Sequence, residues 1–155
     1  MAVRRHPCKA TGRQDGASQC RHQHGRRQDH ETHLNYLFYS CTNLASVSGL
    51  GNLSGVRSMR YTFGSCAFTT IDSRGFDPSM LTDLFYTFSG CSSLATIYAD
   101  STWALSSSGI TGSQCFYSCS TSLVGGNGTV WASNKTAYTY FRVDTASTPG
   151  YITAS

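Results

Sequence analysis

Apolar residues in the middle of the chain recur first at helical spacing. Val56, Met59 and Phe63 lie at positions i, i+3 and i+7, and the same spacing returns in the segment 81–88. This spacing places the three side chains on one face of a short helix or 3₁₀ segment. The sequence therefore predicts a short helical segment ahead of each of these phenylalanines.

The pattern changes to alternation a few residues later. Val47, Ile71 and Ile97 are each flanked by polar residues or by tyrosine. A single apolar residue between polar neighbours is typical of a short strand with one buried face. Further strands are predicted near the C-terminus, over 130–132 and 138–143, where aromatic and β-branched residues are frequent.

Both patterns belong to one repeated sequence motif, Phe-x-x-Cys-x-x-Leu-x-x-Ile/Val. Complete copies begin at Phe38 and Phe88, a shortened copy begins at Phe63, and a looser copy begins at Phe116. Their cysteines, Cys41, Cys66, Cys91 and Cys119, are separated by 25, 25 and 28 residues. A period of 20–29 residues indicates a leucine-rich solenoid, in which stacked neighbours bury the apolar face that one coil cannot bury alone.

The predicted fold class is therefore an α/β repeat. It consists of a short leucine-rich-repeat solenoid with a parallel strand ladder on one side and short helical or 3₁₀ segments on the other. Residues 34–124 form the repeats, and 125–155 form a C-terminal β cap. The first coil, 34–47, has no evident N-terminal cap, so self-association through this end is expected.

The repeated cysteines occupy one position of each copy, which indicates a shared structural role. A small buried thiol at the bend of each coil fits that role. Equivalent cysteines of neighbouring coils would also be close enough for a disulfide. Cys115 lies outside the repeated position and only four residues before Cys119, so a bridge between these two stays open as an alternative.

Charge is concentrated before residue 34. Residues 1–33 hold all five histidines and seven of the twelve Lys and Arg residues, and they contain no Leu, Ile, Phe, Tyr or Trp. The formal net charge of +4 arises entirely there. Such a segment cannot bury enough apolar surface to offset its loss of conformational entropy, so a disordered basic tail is predicted.

Other interpretations of this tail are a basic arm for nucleic acid, a linker or tag, and a metal site. The potential ligands would be Cys8, Cys20, His22, His24, His30 and His33. They lack a paired Cys-x-x-Cys or His-x-x-x-His framework. The abrupt change of composition is more typical of an out-of-frame or wrongly started translation. Neither nucleic acid nor a metal is therefore an expected partner.

Catalysis is not expected from residues 34–155. This part has no histidine to act as a base, and its five acids are scattered, without a close pair for acid–base work. The segment 125–128 resembles a turn more than a phosphate loop. We expect no enzyme activity and no cofactor. The chain also lacks a secretory signal and an apolar run long enough to span a membrane.

The segment GFDPSMLTDLFYTFSGCSSLATI, 75–97, closely resembles the BspA-like leucine-rich repeats of bacterial surface proteins. The resemblance covers about 32–124, and 115–151 resembles the closing segment of that family. It implies a secreted or wall-attached adhesion module that binds host or microbial surface and matrix proteins. It also suggests that the chain is a truncated C-terminal piece of a longer adhesin. The alternative is a gene fragment or mis-called reading frame without independent activity.

If the module binds a ligand, the exposed positions of the predicted strands are the candidates. Tyr98 would be its aromatic anchor. The candidate residues are Ser46, Ser48, Thr70, Asp72, Thr96 and Tyr98.

Overall fold

The computed structural model describes residues 33–155. Strands in this part are β1 (Thr70–Asp72), β2 (Thr96–Ala99) and β3 (Ile152–Ala154), and 3₁₀ helices span Leu50–Asn52 and Tyr138–Tyr140. The predicted basic tail and its potential metal ligands lie outside the described residues, apart from His33.

The strands form one parallel sheet in the order β1-β2-β3. The register pairs Thr70 with Thr96, Ile71 with Ile97, Asp72 with Tyr98, and Ile97 with Ile152. The three isoleucines are fully buried, as the alternating pattern around Ile71 and Ile97 predicts. The strand predicted around Val47 is not formed. Gly49, with φ 84°, turns the chain into the 3₁₀ helix directly after this segment.

The repeat copies lie on one another in sequence order. Isolated parallel bridges join His33 to Ser58, Ser58 to Asp83 and Asp83 to Thr111, and we call the segments that begin at these four residues the first to fourth layers. Backbone N–H groups of one layer donate to carbonyls of the next. These contacts are those expected of stacked coils, while the assignment to a leucine-rich-repeat solenoid stays a prediction.

The segments predicted to be helical are consecutive turns instead. In the second layer, bonds of i→i+3 type join the Thr62 N–H to Met59 and the Gly64 N–H to Tyr61, at 3.1 Å each. Tyr61 and Ser65 then adopt left-handed conformations, with φ 53° and 58°. Alternate N–H groups of the segment are used by the next layer, so an i→i−4 helical ladder cannot form.

The repeated phenylalanines form the centre of the core, as the repeat predicts. Rings of Phe38, Phe63, Phe88 and Phe116 stack with centroids 5.6, 5.5 and 5.2 Å apart. All except Phe38 are fully buried. The layers are therefore joined by this ladder of stacked aromatic side chains as well as by backbone hydrogen bonds.

The cysteine position of the repeat also has one structural role. The thiols of Cys66 and Cys91 donate to the carbonyls of Phe38 and Phe63, at 2.9 and 3.0 Å. The thiol of Cys119 donates instead, at 3.5 Å, to the carbonyl of Cys91, which lies three residues after Phe88, the counterpart of Phe38 and Phe63. Cys66, Cys91, Cys115 and Cys119 are buried free thiols, so the structure contains no bridge between the last two. Burial raises the pKa of Cys66 and of Cys119 to about 12.

The C-terminal segment packs against the last layers through aromatic residues. Phe141 and Tyr151 are buried, and their centroids lie 5.2 Å from Phe88 and 4.9 Å from Phe116, respectively. The strands predicted over 130–132 and 138–143 are wrong: the first forms only an isolated bridge with Val124, and the second contains a 3₁₀ helix. The strand of this segment is β3, which adds to the repeat sheet.

A buried carboxylate holds this segment together. Asp144 accepts hydrogen bonds from the N–H groups of Asn127, Thr129 and Gly150, at 2.9, 2.9 and 3.1 Å, and from the Thr129 hydroxyl at 2.6 Å. Burial alone would raise the pKa of Asp144, but these hydrogen bonds outweigh it and hold the pKa below its usual value. The charged form therefore joins the 125–129 turn to Gly150.

Candidate binding surfaces

Five tyrosines on the turn segments form one continuous surface, called the tyrosine surface below. Rings of Tyr36, Tyr61 and Tyr86 stack with centroids 4.9 and 4.8 Å apart. Tyr39 lies edge-on against Tyr36 and Tyr61, and Tyr117 lies edge-on against Tyr86. Tyr36, Tyr39 and Tyr117 are 53%, 46% and 49% exposed. All four layers thus contribute an aromatic side chain to one accessible surface.

The backbone fixes the direction of the stacked rings. Tyr36, Tyr61 and Tyr86 have φ of 60°, 53° and 56°, a left-handed conformation that is unusual for a bulky residue. Such a conformation costs roughly 1–3 kcal/mol per residue and persists only where the surrounding structure imposes it. Here the N–H groups of Tyr36 and Tyr61 are bound to the next layer, at 3.0 and 3.1 Å. The rings are therefore presented by a constrained frame.

A glycine makes room for the ring at the first layer. A Cβ atom at Gly64 would lie 2.9 Å from Cδ2 of Tyr39 and 3.3 Å from Cδ1 of Tyr61. Because Gly64 has no side chain, the Tyr39 ring lies directly over the second layer. Any larger residue at this position would displace Tyr39 or Tyr61.

An ion pair between Arg60 and Asp83 lies beside the tyrosine surface. Nε of Arg60 lies 2.8 Å from Oδ2 of Asp83, and its guanidinium carbon lies 4.9 Å from the centre of the Phe85 ring. Burial and the neighbouring phenols of Tyr86, Tyr36 and Tyr39 raise the pKa of Tyr61 above its usual value. The Tyr61 phenol is therefore neutral at physiological pH, and a partner would contact phenol rings and hydroxyls rather than a charged patch.

Four of the six residues predicted for the strand face lie together on the sheet. Thr70 lies opposite Thr96, and Asp72 lies opposite Tyr98, and all four are half-buried. Thr153 of β3 adds a row that the sequence did not predict. Asp72 is engaged by Arg74, with Oδ1 of Asp72 2.9 Å from Nε of Arg74, and this guanidinium holds the pKa of Asp72 below its usual value.

The remaining two candidates of this face lie elsewhere. Ser46 and Ser48 are exposed, but their segment is not part of the sheet, so they do not extend its rows. Ligand binding by the strand face stays a prediction, now restricted to residues of β1, β2 and β3.

The positions of the side chains in residues 33–155 give no support for a catalytic site. Within 33–155, no three His, Cys, Asp or Glu side chains are grouped to hold a metal. A shallow groove beside Phe76 and Trp103 is lined by Asp77 and Asp100. Their carboxylates accept N–H groups of Ser79 and Gly75, at 2.9 and 2.6 Å, and so hold turns. The expectation of no enzyme activity stays a prediction.

A scan against protein-family models and searches among curated proteins and solved structures give no match. The resemblance to BspA-like repeats, and the adhesion function that it implies, therefore stay predictions. No helix among the described residues is long and apolar enough to cross a membrane.

Reasoning from sequence missed the tyrosine surface, although its signal is present. Tyrosine stands two positions before the repeated phenylalanine in the first three layers, as Tyr36, Tyr61 and Tyr86. The repeat, however, predicts that aromatic residues at repeated positions belong to the core and that ligand positions lie between them. The left-handed backbone at these tyrosines, which sequence propensity does not predict, directs them to the surface.

Proposed function

We propose that this chain is a non-catalytic protein-binding module that serves in adhesion at a cell surface, and that the tyrosine surface contacts the partner. The observation that carries the proposal is the stack of Tyr36, Tyr61 and Tyr86, flanked by Tyr39 and Tyr117. Tyrosine is enriched at protein interfaces because its ring supplies apolar area and its hydroxyl a polar contact.

Pre-ordering of the rings supports this choice of surface. A flexible side chain loses about 0.5–1.5 kcal/mol of conformational freedom when a partner immobilises it. The Tyr61 ring is already enclosed by Tyr36 and Tyr86, with centroids less than 5 Å away on each side. Binding at this surface would therefore immobilise few additional torsions.

Partners would be surface or matrix proteins of a host or of another microbe, and the parent protein would be secreted or attached to the cell wall. This part of the proposal rests on the sequence resemblance alone. The strand face, with Tyr98 as its anchor, is the competing contact surface on the same module.

One set of tyrosine variants separates the two surfaces. The full chain and the variants Tyr36→Ser, Tyr117→Ser and Tyr98→Ser are titrated against immobilised fibronectin, fibrinogen and collagen, with circular dichroism to confirm folding. We expect Tyr36→Ser and Tyr117→Ser to weaken binding about tenfold or more, as for interface anchors. Tyr98→Ser is the matched control and should bind as the unmodified chain does.

The opposite pattern, with Tyr98→Ser weakened and the other two unchanged, would assign binding to the strand face. Equal binding by all variants would refute both contact surfaces. Absence of binding by the unmodified chain would favour the second candidate, a gene fragment or mis-called reading frame without independent activity. The observation that favours this second candidate is that the carbonyls of Asn35, Leu37 and Tyr39 accept no hydrogen bond within residues 33–155.

A further inference from the structure

Backbone hydrogen bonds between the turn segments of successive layers, 35–40, 60–65 and 85–90, run in one direction. Each layer donates N–H groups at alternate residues, and the following layer accepts them through its carbonyls. For the first two layers the bonds are Tyr36 N–H to Arg60, Phe38 N–H to Thr62 and Ser40 N–H to Gly64, at 2.8–3.0 Å. For the next pair they are Tyr61 N–H to Phe85, Phe63 N–H to Thr87 and Ser65 N–H to Ser89, at 2.7–3.1 Å.

The first layer has the equivalent carbonyls at Asn35, Leu37 and Tyr39. Within residues 33–155 these three carbonyls accept no hydrogen bond. Aromatic rings lie beside them: Tyr36 is 53% exposed, and Phe38 is half-buried whereas its three counterparts are fully buried. We call this end of the stack, residues 35–40, the acceptor edge.

We propose that the acceptor edge is a docking surface for one further layer of the same repeat, joined to the chain ahead of Leu34. The incoming layer would donate alternate N–H groups to the carbonyls of Asn35, Leu37 and Tyr39. Its tyrosine and phenylalanine would stack on Tyr36 and Phe38. This inference shares Tyr36 with the tyrosine surface but rests on the carbonyls of Asn35, Leu37 and Tyr39, so its test does not depend on binding of another protein.

Polarity argues against a second copy of the chain as the occupant. A symmetric dimer through the acceptor edge would place carbonyls against carbonyls. The opposite end of the stack does not supply donors either, because the C-terminal segment covers it and accepts the N–H of Phe116 through the carbonyl of Thr136, at 2.9 Å. Residues 1–32 contain no Leu, Ile, Phe, Tyr or Trp, so they cannot supply the two rings.

The period allows the missing layer to be built in register. Residues 8–32 are replaced by a copy of residues 58–82, which are also 25 in number. The copied Ser58 then stands 25 positions before His33, the same separation as Ser58 from Asp83. A second extension carries a copy of residues 33–57 in the same place. It keeps the test valid if the side chains of the 58–82 copy do not fit against the first layer.

We expect at least one extension to raise the unfolding midpoint by about 3 °C or more. Amide exchange at Tyr36, Phe38 and Ser40 should slow roughly tenfold, because these donors would no longer belong to the terminal layer. Controls carry the copied residues in scrambled order, or the 58–82 copy with Phe63→Pro, which removes the N–H for Leu37 and the ring for Phe38. Both controls should exchange as the unmodified chain does.

The proposal is overturned if both ordered extensions leave the midpoint and the exchange rates unchanged or fail to fold. It is also overturned if the scrambled copy stabilises the chain equally. Sedimentation of the unmodified chain tests the other occupant. A dimer that Tyr36→Glu dissociates would make a second copy the occupant and refute the polarity argument.

Discussion

Replacing Asp144 by asparagine should destabilise the chain more than any exposed substitution. The carboxylate accepts four hydrogen bonds, from the N–H groups of Asn127, Thr129 and Gly150 and from the Thr129 hydroxyl. In Asp144→Asn, one acceptor oxygen becomes an amide donor that faces other donors. The change keeps the size of the side chain and removes its acceptor chemistry.

The loss of unfolding free energy in Asp144→Asn depends on how many of these donors can bind water instead. A buried donor that loses its partner costs about 1–3 kcal/mol. Gly150 is buried, Thr129 is half-buried and Asn127 is exposed, so water can compensate part of the loss. We therefore expect a loss of about 3 kcal/mol, which corresponds to a decrease of the unfolding midpoint by about 10 °C.

The pH dependence gives a second readout. The folded-state pKa of Asp144 lies below that of an ordinary aspartate, so the charged carboxylate contributes stability that is present above the unfolded pKa. This contribution is lost as the pH falls through the folded pKa. The difference in stability between the unmodified chain and Asp144→Asn should therefore be large at pH 7 and should shrink below about pH 4.

Urea denaturation at pH 7 and at pH 3, followed by tryptophan fluorescence, measures both quantities. Asp72→Asn is the matched control, since its carboxylate is bound by Arg74 on the surface, and it should cost less than about 1 kcal/mol. A loss below about 1 kcal/mol for Asp144→Asn, or a difference that does not change with pH, would refute the assigned role of this carboxylate.

Three further predictions concern the core and the tyrosine surface. Phe88→Ala should cost about 3–5 kcal/mol in urea denaturation because Phe63 and Phe116 stack on either side of that ring; a cost near that of an exposed substitution would contradict the ladder. Cys66, Cys91, Cys115 and Cys119 should resist a thiol reagent until denaturant is added, since burial raises the pKa of each thiol; rapid labelling of the folded chain would contradict this. Gly64→Ala should displace Tyr39 and change the near-ultraviolet circular dichroism, whereas Ser93→Ala, at an exposed position, should leave that signal unchanged.

The sequence predicted the features that depend on the period. Ile71 and Ile97 identified β1 and β2, because one buried residue between two outward-facing residues is a local property of a strand. The layer contacts of Phe63 and Phe88 also followed from the period, since equivalent positions of stacked copies must meet. The prediction of a buried structural thiol is confirmed at Cys66, Cys91 and Cys119 for the same reason, whereas Cys41 in the first layer is half-buried.

Features that depend on tertiary pairing were not predicted. Spacing at i, i+3 and i+7 is compatible with a helix, but competition from the next layer for alternate N–H groups converts it into turns. β3 lies outside the repeat, and its role is visible only from its pairing with Ile97 and Tyr98. The outward direction of Tyr61 depends on a left-handed φ, which the hydrogen bond to Phe85 imposes rather than the residue itself.

The two ends of the layer stack differ, which gives the molecule an order of disassembly. One end is closed by Phe141 and Tyr151, whereas within residues 33–155 the turn segment of the first layer is hydrogen-bonded to that of the second layer only. Opening should therefore begin near Tyr36 and advance layer by layer towards β3, and proteases should cut first in the segment 41–55. Unfolding would start at the first layer. The contact between the first two layers would therefore set the rate at which proteases degrade the protein.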